Sequence, residues 1–163
     1  MPETMCVLLV EDSEADALVL QRMLATAYPA LRCLRAKTLA EAQALAVQAD
    51  VVILDLVLPD SQPGDVLAWI TACPAPVVVY SGAIEYVAAA AKAGALFYIC
   101  KGVPADQLHV GIEFAIAEHA REQQRRDRRL FHIQDLVTRL QMIPAPQDVG
   151  TEAADVPTVG VHS

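Results

Sequence analysis

Five short apolar runs rich in β-branched residues, each followed by a stretch of helical spacing, set the limits on what this chain can fold into. Cys6–Val10 precedes Ser13–Ala27, Leu31–Ala36 precedes Thr38–Ala49, and Val51–Leu54 precedes Pro63–Ala72. Val77–Tyr80 then leads into Ile84–Ala93, and Leu96–Cys100 into a helix that starts near Pro104. Strand and helix in strict alternation predict an α/β fold, a doubly wound parallel (βα)5 sheet with helices on both faces. The punctuation agrees. Thr38 and Glu41 have capping-box spacing, Pro63 suits a first helical turn, and Gly94 stands where a helix ends. Val51–Leu54 and Val77–Val79 are apolar at every position, as central strands covered on both faces must be. Leu31–Ala36 alternates apolar residues with Arg32 and Arg35 and reads as an edge.

With 163 residues the chain has room for one such domain and an appendage, not for two domains. Its apolar fraction of 55% leans on 28 alanines, with 5% aromatic residues, which suits a helix-rich globular protein and excludes disorder throughout. The net charge of −8 argues against a surface that grips nucleic acid or an anionic membrane as a whole. No apolar run approaches the roughly 18 residues a spanning helix needs. With no Lys or Arg before Arg22, neither a secretory nor a transit peptide is expected. Cys6, Cys33, Cys73 and Cys100 are widely spaced, which predicts reduced, mostly buried cytosolic thiols rather than a zinc or disulfide framework.

The last helix is too long for its unit. From Gln107 only Gly111 interrupts the helical text before Pro144. Ile112, Ile116, His119, Gln123, Arg126, Leu130, Ile133, Val137 and Leu140 repeat at alternating spacings of four and three. That is a heptad seam, apolar at both ends and polar in the middle. It predicts a parallel dimer through Ile112, Ile116, Leu130, Ile133, Val137 and Leu140, the first two packing on the domain itself or on the partner. A helix folded back on its own domain, or docked to another protein, is the alternative. Residues 119–140 hold 6 of the 12 Lys and Arg, but acidic neighbours and the lack of interleaved aromatics make Arg125–Arg129 a solvated helix face. The organisation expected is a domain over 5–118, a helical extension over 119–142 and a disordered tail over 143–163, rich in Pro, Gly and small residues.

In an open parallel sheet, ligands bind beyond the carboxyl ends of the strands. Glu11 and Asp12 follow the first strand, Asp55 the third, Ser81 the fourth and Lys101 the fifth. Clustered carboxylates can hold a hard divalent cation, and a carboxylate can also act as nucleophile toward a phosphoryl group. Phosphoryl transfer asks chiefly for positioning and charge neutralisation, which a metal, a hydroxyl and a lysine supply.

Taken together, Val10-Glu11-Asp12, Ile53-Leu54-Asp55-Leu56-Val57-Leu58-Pro59-Asp60, Val77 to Gly82 and Tyr98-Ile99-Cys100-Lys101-Gly102 resemble the receiver domain of two-component response regulators. The resemblance implies a flavodoxin-like sheet of strand order 2-1-3-4-5, with the phosphoryl group accepted by Asp55. It implies Mg²⁺ held by Glu11, Asp12, Asp55 and the backbone carbonyl of Val57. Ser81 and Lys101 would contact the phosphoryl oxygens, and Tyr98 would be the aromatic switch that turns inward as the Ser81 hydroxyl moves. A sensor histidine kinase or phosphotransfer protein is the implied donor and the cytoplasm the implied location, with signalling through protein contacts or dimerisation. No DNA-binding domain is expected after residue 118.

The chain departs from the family pattern in two places. Gly102 stands where proline is usual after the lysine, and Val57 and Ala83, at the positions that tune dephosphorylation, cannot position a water, so slow decay is expected. A pseudo-receiver that docks partners without phosphorylation is the rival reading. A haloacid-dehalogenase-like phosphatase would need an acid at Val57, and a dinucleotide enzyme would need a glycine-rich turn at Glu11-Asp12-Ser13.

Overall fold

The computed structural model describes residues 4–146 together with 150, 157 and 160. Five strands, β1 (Cys6–Val10), β2 (Arg32–Ala36), β3 (Val51–Leu54), β4 (Val77–Ser81) and β5 (Phe97–Cys100), alternate with five helices. The helices are α1 (Glu14–Ala27), α2 (Leu39–Leu45), α3 (Pro63–Ala72), α4 (Val87–Ala93) and α5 (Ala105–Gln141). All strand pairs are parallel, in the order β2-β1-β3-β4-β5. The doubly wound, flavodoxin-like sheet is therefore as expected, with β2 at one edge. The chain parts into two compact units, Met1–Arg125 and Arg126–Ser163.

The period of two along each strand divides the core. Leu8, Val10, Val52, Leu54, Val77 and Val79 face one way and pack with Leu39, Ala42, Val66, Trp69, Ile70 and Ala90 from α2, α3 and α4. Val7, Leu9, Val51, Ile53, Val78, Tyr80 and Ile99 face the other way, onto Ala17, Leu20 and Leu24 of α1 and Leu108, Ile112 and Ala115 of α5. Buried on both faces, the central strands need apolar side chains at every position.

Helix starts follow local hydrogen bonding. The Ser13 hydroxyl accepts from the Asp16 amide at the head of α1, and the Thr38 hydroxyl accepts from the Glu41 amide at the head of α2. The Thr38 box is only half made, because the Glu41 carboxylate takes the Lys37 amide instead of that of Thr38. Gly94 ends α4 with φ +111°, a left-handed conformation that glycine adopts without steric cost.

Three expectations need correction. The helical stretch from Ile84 opens as a 3₁₀ turn over Ile84–Tyr86, with α4 proper only from Val87. Of the four free cysteines only Cys6 is buried. Cys33 lies exposed on the edge strand β2, and Cys73 and Cys100 are half-buried. Ile112 is wholly buried in the core of its own domain, so it is not available to any seam, and Ile116 is half-buried against the same cluster. The expected disordered tail over 143–163 lies, apart from residues 143–146, 150, 157 and 160, outside the described residues.

Candidate functional site

The strand register brings the carboxyl ends of the inner strands level. Val10 lies beside Leu54 on one side and Ala36 on the other, while Ser81 lies beside Cys100. The residues that follow those ends, Glu11, Asp12, Asp55 and Lys101, therefore meet around one cleft of about 440 Å³ that Ser81, Val57 and Glu85 also line.

Asp55 is 5% exposed, and both of its oxygens are engaged. Oδ1 accepts from the Ser81 hydroxyl at 2.8 Å and from the Val57 amide at 3.2 Å. Oδ2 accepts from the Lys101 ammonium at 2.8 Å. Glu11, only 1% exposed, accepts the Ser13 amide on Oε1 at 3.0 Å. Its Oε2 faces Lys101 Nζ at 2.8 Å as an ion pair and accepts no directional hydrogen bond. Burial pushes the Glu11 carboxyl above its ordinary value, against the pull of Lys101. For Lys101, burial acts to lower the ammonium's pKa, but hydrogen bonds to Asp16 and Asp55 and the Glu11 carboxylate beside it outweigh it and hold the group above its ordinary value. Lysine is thus charged throughout the physiological range.

One carboxylate oxygen from each of Glu11, Asp12 and Asp55 lies within 4.8 Å of the others. A buried carboxylate oxygen without a directional donor, among three oxygen ligands, fits a hard divalent cation. Tyr98 is half-buried, and its hydroxyl donates to the Ala83 carbonyl at 2.7 Å, on the loop that follows Ser81. Burial raises its phenol above the ordinary value.

Comparison with known families decides what this rim belongs to. The family model of the response regulator receiver domain matches residues 7–113. The chain belongs to the response regulator receiver family. No curated protein matches it in sequence. Among solved structures, a response regulator receiver domain protein (CheY-like) from Methanospirillum hungatei JF-1 shares the fold at TM-score 0.63 and 21% identity, covering 74% of this chain and 99% of that one. The phosphorylated cyanobacterial phytochrome response regulator RcpA is 28% identical at TM-score 0.56, covering 67% of this chain and 89% of that one. The Mn²⁺-bound form of response regulator Rcp1 is 27% identical at TM-score 0.54, covering 66% and 88%. Receiver domains are signalling modules that accept a phosphoryl group and bind a divalent metal at an acidic site.

Within this receiver, sequence reasoning passed over three polar groups. Asp16, in the first turn of α1, places Oδ2 at 2.8 Å from Lys101 Nζ. The Arg35 guanidinium on β2 donates to the Glu11 carbonyl at 3.3 and 3.2 Å and steadies the turn that carries the acidic pair. The Asp60 carboxylate accepts the Leu39 and Ala40 amides at 2.8 and 3.1 Å, tying the loop after Asp55 to the head of α2. Those two bonds, Leu39's foremost, hold its carboxyl below the ordinary range. Asp16 carried a faint signal, an acid one helical turn beyond Glu11-Asp12; the other two contacts arise only from the tertiary fold. The departure at Gly102 is accommodated with φ +92°, and among the described residues no peptide bond is cis.

Proposed function

We propose that this receiver accepts a phosphoryl group on Asp55 from a sensor histidine kinase or a phosphotransfer protein and passes the signal on through protein contacts. The observation that carries the reading is the state of Asp55, a carboxylate buried at a strand end where it lines the cleft. Ser81 and Lys101, the two donors that would follow the charge onto a phosphoryl group, already hold it. In the transfer an Asp55 oxygen forms a bond to phosphorus while the bond from phosphorus to the donor breaks, its electron pair leaving with the donor. The Ser81 hydroxyl and the Lys101 ammonium then turn to phosphoryl oxygens.

Glu11, Asp12 and Asp55, with the Val57 carbonyl, would hold Mg²⁺, which when bound neutralises charge on the phosphoryl oxygens. The phosphorylated and Mn²⁺-bound states named for the two relatives above support the same reading of this cleft. Tyr98 joins in through Ala83. If the Ser81 hydroxyl moves, the loop that accepts the Tyr98 proton moves with it, and the face of β5 changes.

We propose with it the division into a receiver over 5–118, a helical extension over 119–142 that pairs with a second copy, and a tail over 143–163. In this reading the module works in the cytoplasm, beside its donor, and contacts no DNA.

Incubation of the full chain with acetyl phosphate and Mg²⁺ tests the proposal. Wild type takes up one phosphoryl group and Asp55→Asn takes up none, by mass spectrometry. With Val57 and Ala83 unable to position a water, decay after donor removal takes minutes or longer. A lifetime of seconds contradicts that assignment, and no uptake at all favours the docking pseudo-receiver.

A further inference from the structure

We propose that Asp16 is a positioning residue for phosphotransfer, one that holds Lys101 in the resting site and surrenders it as the phosphoryl group arrives, so that it acts as a brake on phosphorylation. The inference rests on the phosphoacceptor reading of Asp55.

An ammonium has three protons and no further donors. Lys101 Nζ stands 2.8 Å from each of Glu11 Oε2, Asp16 Oδ2 and Asp55 Oδ2, donating hydrogen bonds to the latter two and facing the first as an ion pair, so three carboxylates hold it in place. As Lys101 passes from Asp55 Oδ2 to a phosphoryl oxygen, it must also part from one of its other two partners to follow the charge into the cleft. The Glu11 side chain is 1% exposed, and a buried carboxylate stripped of its cation has no water to replace it. The Asp16 side chain is 43% exposed and can be rehydrated as it lets go. Asp16 is therefore the partner that yields.

Nor is Asp16 occupied with capping its own helix. At the third position of α1 its carboxylate would be expected to reach back to the Ser13 amide, but Glu11 Oε1 already accepts that amide at 3.0 Å. The Asp16 carboxylate instead crosses to a residue 85 positions away. Its effect is exerted through Lys101, and the bond it breaks is lost before transfer is complete. Once the Asp55 oxygen is bonded to phosphorus and the donor has left, Lys101 serves the phosphoryl group whether or not Asp16 is present.

The test separates the forward rate from the reverse. Full-length wild type, Asp16→Asn and Asp16→Glu are mixed with acetyl phosphate in Mg²⁺, and the rates of phosphoryl uptake and of decay after donor removal are followed by intact mass. Asp16→Asn takes up phosphate about two- to fivefold faster, the range set by a half-exposed ion pair. Its decay matches wild type. Asp16→Glu, whose longer arm keeps a carboxylate within reach of Lys101, returns uptake toward the wild-type rate. Uptake by Asp16→Asn that is equal to or slower than wild type overturns the proposal. So do a parallel change in both rates, as a merely structural role would give, and a failure of Asp16→Glu to restore the wild-type rate. No uptake by wild type overturns the phosphoacceptor reading, and this proposal with it.

Discussion

Glu11 and Glu14, three residues apart, respond to acid in opposite directions because one is buried and the other sits between two cations. Burial raises the Glu11 carboxyl, whereas hydrogen bonds from Arg35 and then Lys37, at 2.6 Å each, pull that of Glu14 from 4.5 down to about 2. A carboxyl that is harder to protonate when folded adds stability above its unfolded value and loses it as the pH falls toward its folded value. The Glu14 contribution is thus complete above about pH 4.5 and gone near pH 2. Wild type should be more stable than Glu14→Gln at neutral pH, the gap closing across that interval and shrinking in high salt, since the pair is exposed. Urea midpoints at pH 7 and pH 2.5 check this, and an undiminished gap at the lower pH would count against it. Arg35 also shows what the sequence left unread. Its alternation with apolar neighbours marked an edge strand correctly, but its forked contact with the Glu11 carbonyl depends on β1 lying beside β2. Glu11, Asp12, Asp55, Ser81 and Lys101 were legible because strand ends can be counted along the chain. Asp16 was not, since an acid in a first helical turn is ordinarily read as complementing the helix dipole.

At the level of elements, the order of strands and helices could be read because burial on both faces leaves its mark on every residue of β3 and β4. Helix ends were read less well, as at Ile84, where three residues form a 3₁₀ turn that no residue type announces. The packing of α5 on β5 was also beyond reach, although Gly111 was visible as the one interruption of a long helix. A Cβ built there would stand 2.8 Å from Phe97 Cδ1 and 3.0 Å from Ile99 Cδ1. The glycine is present because the helix lies close against the strand, and its cost in helix propensity is accepted for that approach. Gly111→Leu should therefore lower stability by about 1–3 kcal/mol through overpacking. Val110→Ala, on the exposed side of the same turn, should change it by no more than about 0.5 kcal/mol. Chemical denaturation of the two variants decides, and equal midpoints would show that β5 gives way at no cost.

For the molecule as a whole, the question is what the far turns of α5 are for. At 37 residues, α5 has more turns than a receiver domain needs to cover its sheet. Its buried residues, Leu108, Gly111, Ile112 and Ala115, all fall in its first third. Farther on, Leu130, Ile133, Val137 and Leu140 are 57%, 54%, 47% and 65% exposed, at heptad spacing. A row of large apolar side chains left to water is what a second helix would cover, and a two-fold parallel pair sets each residue of the row against its own copy. Light scattering on the full chain should then give a dimer mass. Leu130→Arg should shift it to a monomer without moving the unfolding midpoint of the receiver, whose core does not include that residue. A monomer mass independent of concentration, or a dimer indifferent to Leu130→Arg, would leave the exposed row to a different protein.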